Sequence, residues 1–139
     1  MYKKILIAND GSEGGARALS VAIKLAHRLK ARLDMICVEE MPIAPATIDE
    51  IVEEQLEENH RYERVIGQAR SQATAARVKI ETHVVSGHAV SSIVEFIERG
   101  GYDLLVVGFM GHSALYNRLI GGTTDRLVEL APCHVLVVK

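Results

Sequence analysis

The sequence contains no tryptophan, and its only large aromatic residues are four tyrosines and two phenylalanines in a chain of 139 residues. Single-stranded nucleic acids are usually held on stacked aromatic side chains and against a surplus of basic residues. Here 16 basic and 18 acidic residues give a formal net charge of −2. The scarcity of aromatic side chains and the lack of an excess of basic residues both argue against a protein whose main partner is a nucleic acid.

Cysteine is also scarce. Cys37 and Cys133 are too few for a disulfide framework and lack the spacing of metal ligands.

No apolar run approaches the ~18 residues that a membrane-spanning helix needs. The amino terminus passes from a short apolar segment straight into Asp10 and Glu13, which does not fit a secretory signal. We therefore expect a cytoplasmic protein with reduced thiols and no membrane partner.

Hydrophobic residues are plentiful, at 48% of the chain, which suits one domain over residues 1–139. Short apolar runs alternate with stretches whose apolar residues recur at helical spacing. The predicted strands are residues 3–9, 32–38, 78–85, 103–107 and 134–138. Helices are predicted between them: one after residues 10–12, a long one capped by Thr47, one over 89–99 that Gly100 and Gly101 end, and a last region over about 112–130.

This alternation predicts an α/β fold with a five-stranded parallel sheet and helices on both faces. In the order 3-2-1-4-5, strands 1 and 4 are neighbours, so the loops after Asn9 and Val107 face each other at the crevice where such folds bind ligands. The same order separates Cys37 from Cys133 by three strand spacings, about 14 Å, whereas a disulfide allows about 7 Å. A bond between these two cysteines is therefore excluded.

Two glycine-containing loops carry the candidate chemistry. Gly108 and Gly111 allow a tight turn after strand 4, and Gly121 and Gly122 precede a helix whose N-terminal amides favour a phosphate. Phosphate binding and plain turn or cap glycines are equally good interpretations of this spacing. Asp10 could bind ribose hydroxyls or help to hold a metal, or it could cap the first helix, as Ser12 also could.

Several separated motifs agree in order and spacing with one family. They are Asp10-Gly11-Ser12, Tyr102-Asp103-Leu104, the pattern G-x2-G-x9-G after Leu-Val-Val, and the closing residues 131–138. Together they cover essentially the whole chain, which resembles the universal stress protein family. The resemblance implies an adenine-nucleotide alpha-hydrolase-like fold, usually homodimeric, whose nucleotide-binding branch holds ATP, here with Mg²⁺ as the accompanying ion.

The resemblance also implies roles for individual positions. Asp10 would contact the ribose, and the backbone of Ala8 and Val38 would hold adenine. Gly108, Gly111, Gly121 and Gly122 would line the phosphate path. The other predicted site residues are neighbours of these glycines in the sequence: Val107, His112, Thr123 and Thr124.

One position departs from the ATP-binding pattern, in which serine or threonine directly follows the third glycine. This chain has Gly122 there. A hydroxyl bonded to a charged phosphate contributes about 1.5–3 kcal/mol, or about 10- to 100-fold in affinity, unless Thr123, Thr124 or backbone amides substitute for it. Phe109 and Met110 are also more apolar than the pair expected there, which would narrow the pocket or face a partner.

Histidine and acid patterns do not indicate an enzyme. The six histidines show neither H-x-x-x-H nor H-E-x-x-H spacing, so no metal site is predicted. His112 and Ser113 could touch a phosphate, but an exposed loop histidine is the plainer interpretation. No Ser/His/Asp order or carboxylate pair indicates hydrolysis, so we expect no catalytic residue and slow ATP hydrolysis at most.

The leading hypothesis is an ATP-binding stress-response or signalling module with an unidentified protein client. A nucleotidyl transferase is disfavoured because the H-I-G-H and S-G-G-x-D-S signatures are missing. A phosphorylation receiver is disfavoured because strand 3 is followed by Ser86 and Gly87 rather than by an aspartate. The alternative is a dimeric interaction domain that binds no nucleotide.

Strand 5 would lie at one edge of the sheet and is nearly all apolar, with only Lys139 to oppose edge-to-edge pairing. Two copies can pair such edges about a two-fold axis. We therefore predict a homodimer through residues 133–138.

Acidic residues are concentrated in residues 39–58, where eight of them occur without a lysine or arginine. The rest of the chain then has 16 basic and 10 acidic residues, a charge of +6. This mildly favours a small anionic ligand elsewhere, although a solvated acidic helix face is the plainer interpretation.

Overall fold

The computed structural model describes residues 1–40, 47–109 and 122–139, apart from the side chains of Glu54, Gln55, Glu58 and Asn59. The described residues form, in chain order, β1 (Lys4–Ala8), α1 (Glu13–Leu29), β2 (Arg32–Glu40), α2 (Ile48–Ala75), β3 (Ile80–Gly87), α3 (Ala89–Gly100), β4 (Leu104–Gly108), α4 (Thr123–Leu130) and β5 (His134–Val138).

The five strands form one sheet in the order β3-β2-β1-β4-β5, and every strand pair in it is parallel. The predicted fold class and strand order are therefore confirmed. The helices that connect successive strands cover both faces, which explains why the central strands are apolar on both sides.

Two hydrophobic clusters lie on opposite faces of the sheet. Ile5 and Ile7 of β1 point into the cluster that α1 and α2 complete, whereas Leu6 points into the cluster of α3 and α4. All three side chains are fully buried. Successive side chains of a strand alternate between faces, so each central strand contributes to both cores.

The predicted helix ends are confirmed where they are described. Thr47 caps α2, and its hydroxyl and the carboxylate of Glu50 form a reciprocal capping box. Gly101 follows α3 with a φ of 68°, and its N–H donates to the carbonyl of Ile97. The left-handed conformation at that position favours glycine.

Some boundaries differ from those predicted. β3 begins at Ile80 rather than at residue 78, because Arg77 has a φ of 59° and the N–H of Val78 donates to the carbonyl of Ala73. Val78, which the sequence predicts to begin a strand, is therefore hydrogen-bonded to the end of α2 instead. β2 continues to Glu40, where it still pairs with Gly87 of β3. Of the helical region predicted over residues 112–130, α4 is the described part, and residues 110–121 lie outside the described residues.

Both cysteines are free, as predicted. Cys37 lies on β2 and Cys133 directly precedes β5, so β1 and β4 separate them in the sheet. Burial raises the pKa of the Cys37 thiol to about 12, which keeps it protonated and unreactive near neutral pH.

Among the helices of the described residues, none combines the length and apolar character needed to cross a membrane.

Candidate functional site

A pocket of about 270 Å³ opens at the carboxyl ends of β1, β2 and β4. This is the crevice that the predicted strand order indicates. The structure brings many of the predicted site residues together in its lining: Ala8, Asp10, Val38, Val107, Gly108, Thr123 and Thr124. Gly122 precedes α4 at the edge of this group, and the predicted site residues Gly111, His112 and Gly121 lie outside the described residues.

One side of the pocket is apolar. Ile36 and Val38 of β2, Val107 of β4, Ile93 of α3 and Leu127 of α4 all line it, and all belong to the hydrophobic cluster on that face. The pocket is therefore a continuation of the core toward solvent. Such a surface can cover a flat apolar group without losing hydrogen bonds.

The turn between β1 and α1 forms the polar side of the pocket. Asp10 Oδ1 accepts hydrogen bonds from the backbone N–H of Ser12 at 3.0 Å and from its hydroxyl at 2.5 Å. Ser12 Oγ in turn accepts from the N–H of Gly15 at 3.1 Å, so Ser12 is the N-cap of α1. The interpretation of Asp10 as the helix cap is thus wrong, because Asp10 instead braces the residue that caps. Within the described part of the chain, these bonds use only Oδ1 of Asp10, a residue that lines the pocket.

Gly108 lines the pocket and also allows β4 to approach α1 closely. A Cβ atom at Gly108 would lie 2.3 Å from the carbonyl carbon and oxygen of Gly14, and a Cβ at Gly14 would lie 2.6 Å from the carbonyl oxygen of Phe109. Both neighbours are backbone atoms that cannot rotate away. The glycine predicted to line a phosphate path is therefore required by helix–strand packing as well.

Two residues of α2 reach the pocket without having been predicted to do so. The guanidinium of Arg61 donates to the backbone carbonyl of Asp10. The hydroxyl of Tyr62, a residue that is 4% exposed, donates to the carbonyl of Val38 at 2.8 Å. This bond occupies one lone pair of a backbone group that the resemblance assigned to adenine. Sequence spacing holds no signal for either contact, since Tyr62 shows only the helical stripe of a core residue.

Charge in the pocket is mixed. The charged residues in its described lining are Asp10, Glu40 and Arg61. Glu40 Oε1 accepts from the N–H of Ala89 at 3.2 Å and so caps α3, whose N-cap residue His88 makes no side-chain cap bond. Arg61 is thus the cation that the described lining offers to an anionic ligand.

The start of α4 offers backbone amides together with one carboxylate, that of Asp125, in its first turn. Gly122 is its N-cap residue and has no side chain to satisfy the first free N–H groups of the helix. The hydroxyl of Thr124 donates to the carbonyl of Gly108 at 3.0 Å, so its proton is already used within the chain. Thr123 is therefore the better candidate for replacing the hydroxyl that the family pattern has at residue 122.

A second polar cluster surrounds Asp34, a fully buried residue of β2 that does not line the pocket. Its carboxylate accepts hydrogen bonds from Arg32 Nε at 2.9 Å, from the Tyr102 hydroxyl at 2.8 Å, and pairs with His83 Nε2 at 2.9 Å. Burial alone would raise the pKa of Asp34, but the hydrogen bonds from Arg32, His83 and Tyr102 outweigh it, and the pKa lies below the ordinary aspartate value. Asp34 is therefore ionised and fully partnered.

Asp34, Glu81 and His83 each offer one atom that could bind a metal ion, and these three atoms lie within 4.8 Å of one another. Arg32, however, lies 3.0 Å from Glu81 as well as 2.9 Å from Asp34, and it already supplies the positive charge. The cluster is thus arranged as a salt-bridge network. Sequence spacing indicates no partner for His83, because Asp34, with which it pairs, lies on another strand.

Comparison with known proteins agrees with this architecture. The whole chain, residues 1–139, matches the model of the universal stress protein family. Universal stress protein MJ0531 of Methanocaldococcus jannaschii is 33% identical over 143 residues, which cover 100% of this chain and 83% of that protein. Universal stress protein UspA from Lactobacillus plantarum has a TM-score of 0.86 at 25% identity, over 99% of this chain and 98% of that one. A universal stress protein solved in complex with cAMP has a TM-score of 0.81 at 26% identity, over 99% and 97% of the two chains.

Proposed function

Because this chain belongs to the universal stress protein family, we propose that its pocket binds an adenine nucleotide, with ATP and its accompanying Mg²⁺ as the physiological form. The chain then acts as a stress-response or signalling module, and hydrolysis is slow at most. The observation that carries the proposal is the juxtaposition, in one pocket, of an apolar slot, the Asp10 carboxylate and the start of α4. The cAMP complex of a structural relative supports an adenine ligand for this site.

The parts of a nucleotide match the parts of the pocket. Adenine is flat and largely apolar, and the slot between Val38, Ile93 and Val107 would cover its faces. Asp10 Oδ2, to which no hydrogen bond is made within residues 1–40, 47–109 and 122–139, would accept hydrogen bonds from ribose hydroxyls, as carboxylates do at comparable strand ends. The phosphates would extend toward Thr123 and the first amides of α4, where the helix dipole favours negative charge.

Titration calorimetry with ATP-Mg²⁺, AMP and cAMP tests the proposal. We expect saturable binding of at least one of them, with mass spectrometry of the denatured protein identifying any nucleotide that co-purifies. If none of the three binds at millimolar concentration, the chain is instead the interaction domain without nucleotide.

Asp10→Asn is a sharper variant than Asp10→Ala, because the amide oxygen can still accept from Ser12 and preserve the turn. Loss of the charged acceptor for ribose is expected to weaken nucleotide binding about 10-fold with little change in melting temperature. Glu13→Gln is the matched control, since Glu13 is a neighbouring, exposed carboxylate outside the pocket lining. A large fall in melting temperature with unchanged affinity would show that Asp10 only braces the turn.

We also propose that the chain is a homodimer through β5. β5 pairs with β4 on one side only, at the edge of the described sheet. Next to it, Val128 and Leu130 of α4 are 52% and 48% exposed. Pairing of two β5 edges would cover the unpaired backbone and this apolar surface together.

Light scattering checks the interface. The wild type is expected to be dimeric at micromolar concentration, and the Val135→Asp/Val137→Pro chain monomeric, because proline removes a backbone donor and aspartate places charge in the seam. Val128→Glu on the exposed face of α4 should weaken the dimer without touching the strand. Circular dichroism confirms that each variant is folded. A folded double variant that stays dimeric would place the interface elsewhere.

A further inference from the structure

The first half of α2 exposes apolar side chains that lie outside both hydrophobic clusters of the described residues. The second half of the helix packs on the sheet through Tyr62, Val65, Ala69 and Ala73, which are all buried. In the first half, Ile48, Val52 and Leu56 are 80%, 47% and 53% exposed. We call these three side chains the α2 stripe.

The α2 stripe has the geometry of a docking surface. Its residues are four positions apart, so they follow one another along one side of the helix. Single exposed apolar residues are common, but a row of them at helical spacing is what helix-in-groove and helix-on-helix recognition uses. The Thr47–Glu50 capping box fixes the start of this helix, so the row is presented on a regular backbone.

The charge around the α2 stripe has one sign. Residues 47–60 contain six acidic residues and no lysine or arginine. Within the described part of the chain, Asp49, Glu53 and Glu57 enter no ion pair, although pairs form on α1 and α3. These three carboxylates are therefore available to form ion pairs with basic side chains of a partner.

This charge decides between the possible occupants. An anionic lipid surface would be repelled by the acidic flanks. A second copy docked through the same stripe would bring two acidic flanks together, which is unfavourable. A helix with apolar residues at the same spacing and lysine or arginine beside them would bury the stripe and pair with the acids.

We propose that the α2 stripe and its acidic flanks bind a basic amphipathic helix of a partner protein. This surface is separate from the nucleotide pocket and from β5, so the proposal does not depend on either. Contact through three apolar side chains with charge-assisted attraction corresponds to a transient, salt-sensitive complex rather than a permanent one.

The test uses a fluorescein-labelled synthetic 18-residue helix of leucine and lysine, with leucines at spacings of three and four, and the same peptide with glutamate in place of lysine. Fluorescence anisotropy with the full chain is expected to show binding of the lysine peptide, weakening as salt rises, and none of the glutamate peptide. Val52→Gln/Leu56→Gln should weaken binding at least about 10-fold, because both side chains would contact the peptide. Val84→Gln, which changes a comparably exposed apolar residue on β3, is the matched control and should have no effect.

The acidic flanks are tested in the same way. Glu53→Gln/Glu57→Gln should weaken binding and flatten its salt dependence, whereas Glu63→Gln, an exposed acid farther along α2, should change neither. Circular dichroism should show all variants folded, since these side chains are exposed. The proposal is overturned if the wild type does not bind the lysine peptide, or if the stripe variant binds it equally well. Preferential binding of vesicles containing phosphatidylglycerol, or loss of self-association in the stripe variant, would overturn it in favour of a membrane or of a second copy.

Discussion

Gly108→Ala is expected to destabilise the chain by about 3 kcal/mol, although it adds a single methyl group. That methyl would lie 2.3 Å from backbone atoms of Gly14, and the two residues belong to a central strand and to the first turn of the helix packed on it. Neither backbone can move without shifting the other elements of the core. Urea unfolding followed by circular dichroism should show a lower midpoint with an unchanged slope.

Gly67→Ala is the matched control for this experiment. Gly67 lies within α2, and among the described residues no atom other than its chain neighbours and the backbone of its own helix lies within 4 Å of the Cβ that the substitution adds. Alanine is favoured over glycine inside a helix by about 0.8–1 kcal/mol, so this variant is expected to be slightly more stable than the wild type. Equal midpoints for Gly108→Ala and the wild type would contradict the close contact of β4 with α1.

Asp34→Asn is expected to destabilise the chain by about 3 kcal/mol at neutral pH. The carboxylate receives donors from Arg32, His83 and Tyr102, and an asparagine would turn an NH₂ group toward at least one of them. That donor would then be left without an acceptor, which costs most for the buried hydroxyl of Tyr102. Glu81→Gln alters the exposed end of the same network and should cost less than about 1 kcal/mol.

The pH dependence of this effect follows from the direction of the pKa shift. The pKa of Asp34 is lowered in the folded state, so its ionised form stabilises the fold at pH values above its unfolded-state pKa of about 3.9. This stabilisation is lost as the pH falls through the folded-state pKa. The difference in unfolding free energy between the wild type and Asp34→Asn should therefore narrow in acid. A difference that stays constant down to about pH 3 would mean that folding does not lower the pKa of Asp34.

Much of the architecture could be predicted because it depends on residues that are close in sequence. Apolar periodicity identifies a strand or a helix within a few turns of chain, and parallel strands with helical connections then leave few possible orders. The Thr47 cap and the Gly101 helix end follow from residues three or four positions away. Among the pocket residues, Asp10 and Thr123 are predicted by their places after strand 1 and at the start of the last helix, and Val38 by the family resemblance. None of them is predicted from a contact.

The amino-acid sequence by itself thus determined the order of elements, the sheet topology, the family and the side of the sheet on which the pocket opens. Only the tertiary structure decided which side chains meet in the pocket and which surround Asp34. Arg61 contacts Asp10 across 51 positions, and Tyr102 reaches Asp34 across 68. Pairs so distant leave no local pattern, because their meeting depends on how helices pack across the sheet. Gly108 illustrates the same difference. Its place after a strand predicts a position that requires glycine, but the atoms that a side chain would meet there belong to Gly14, and only the packing of α1 on β4 brings them close.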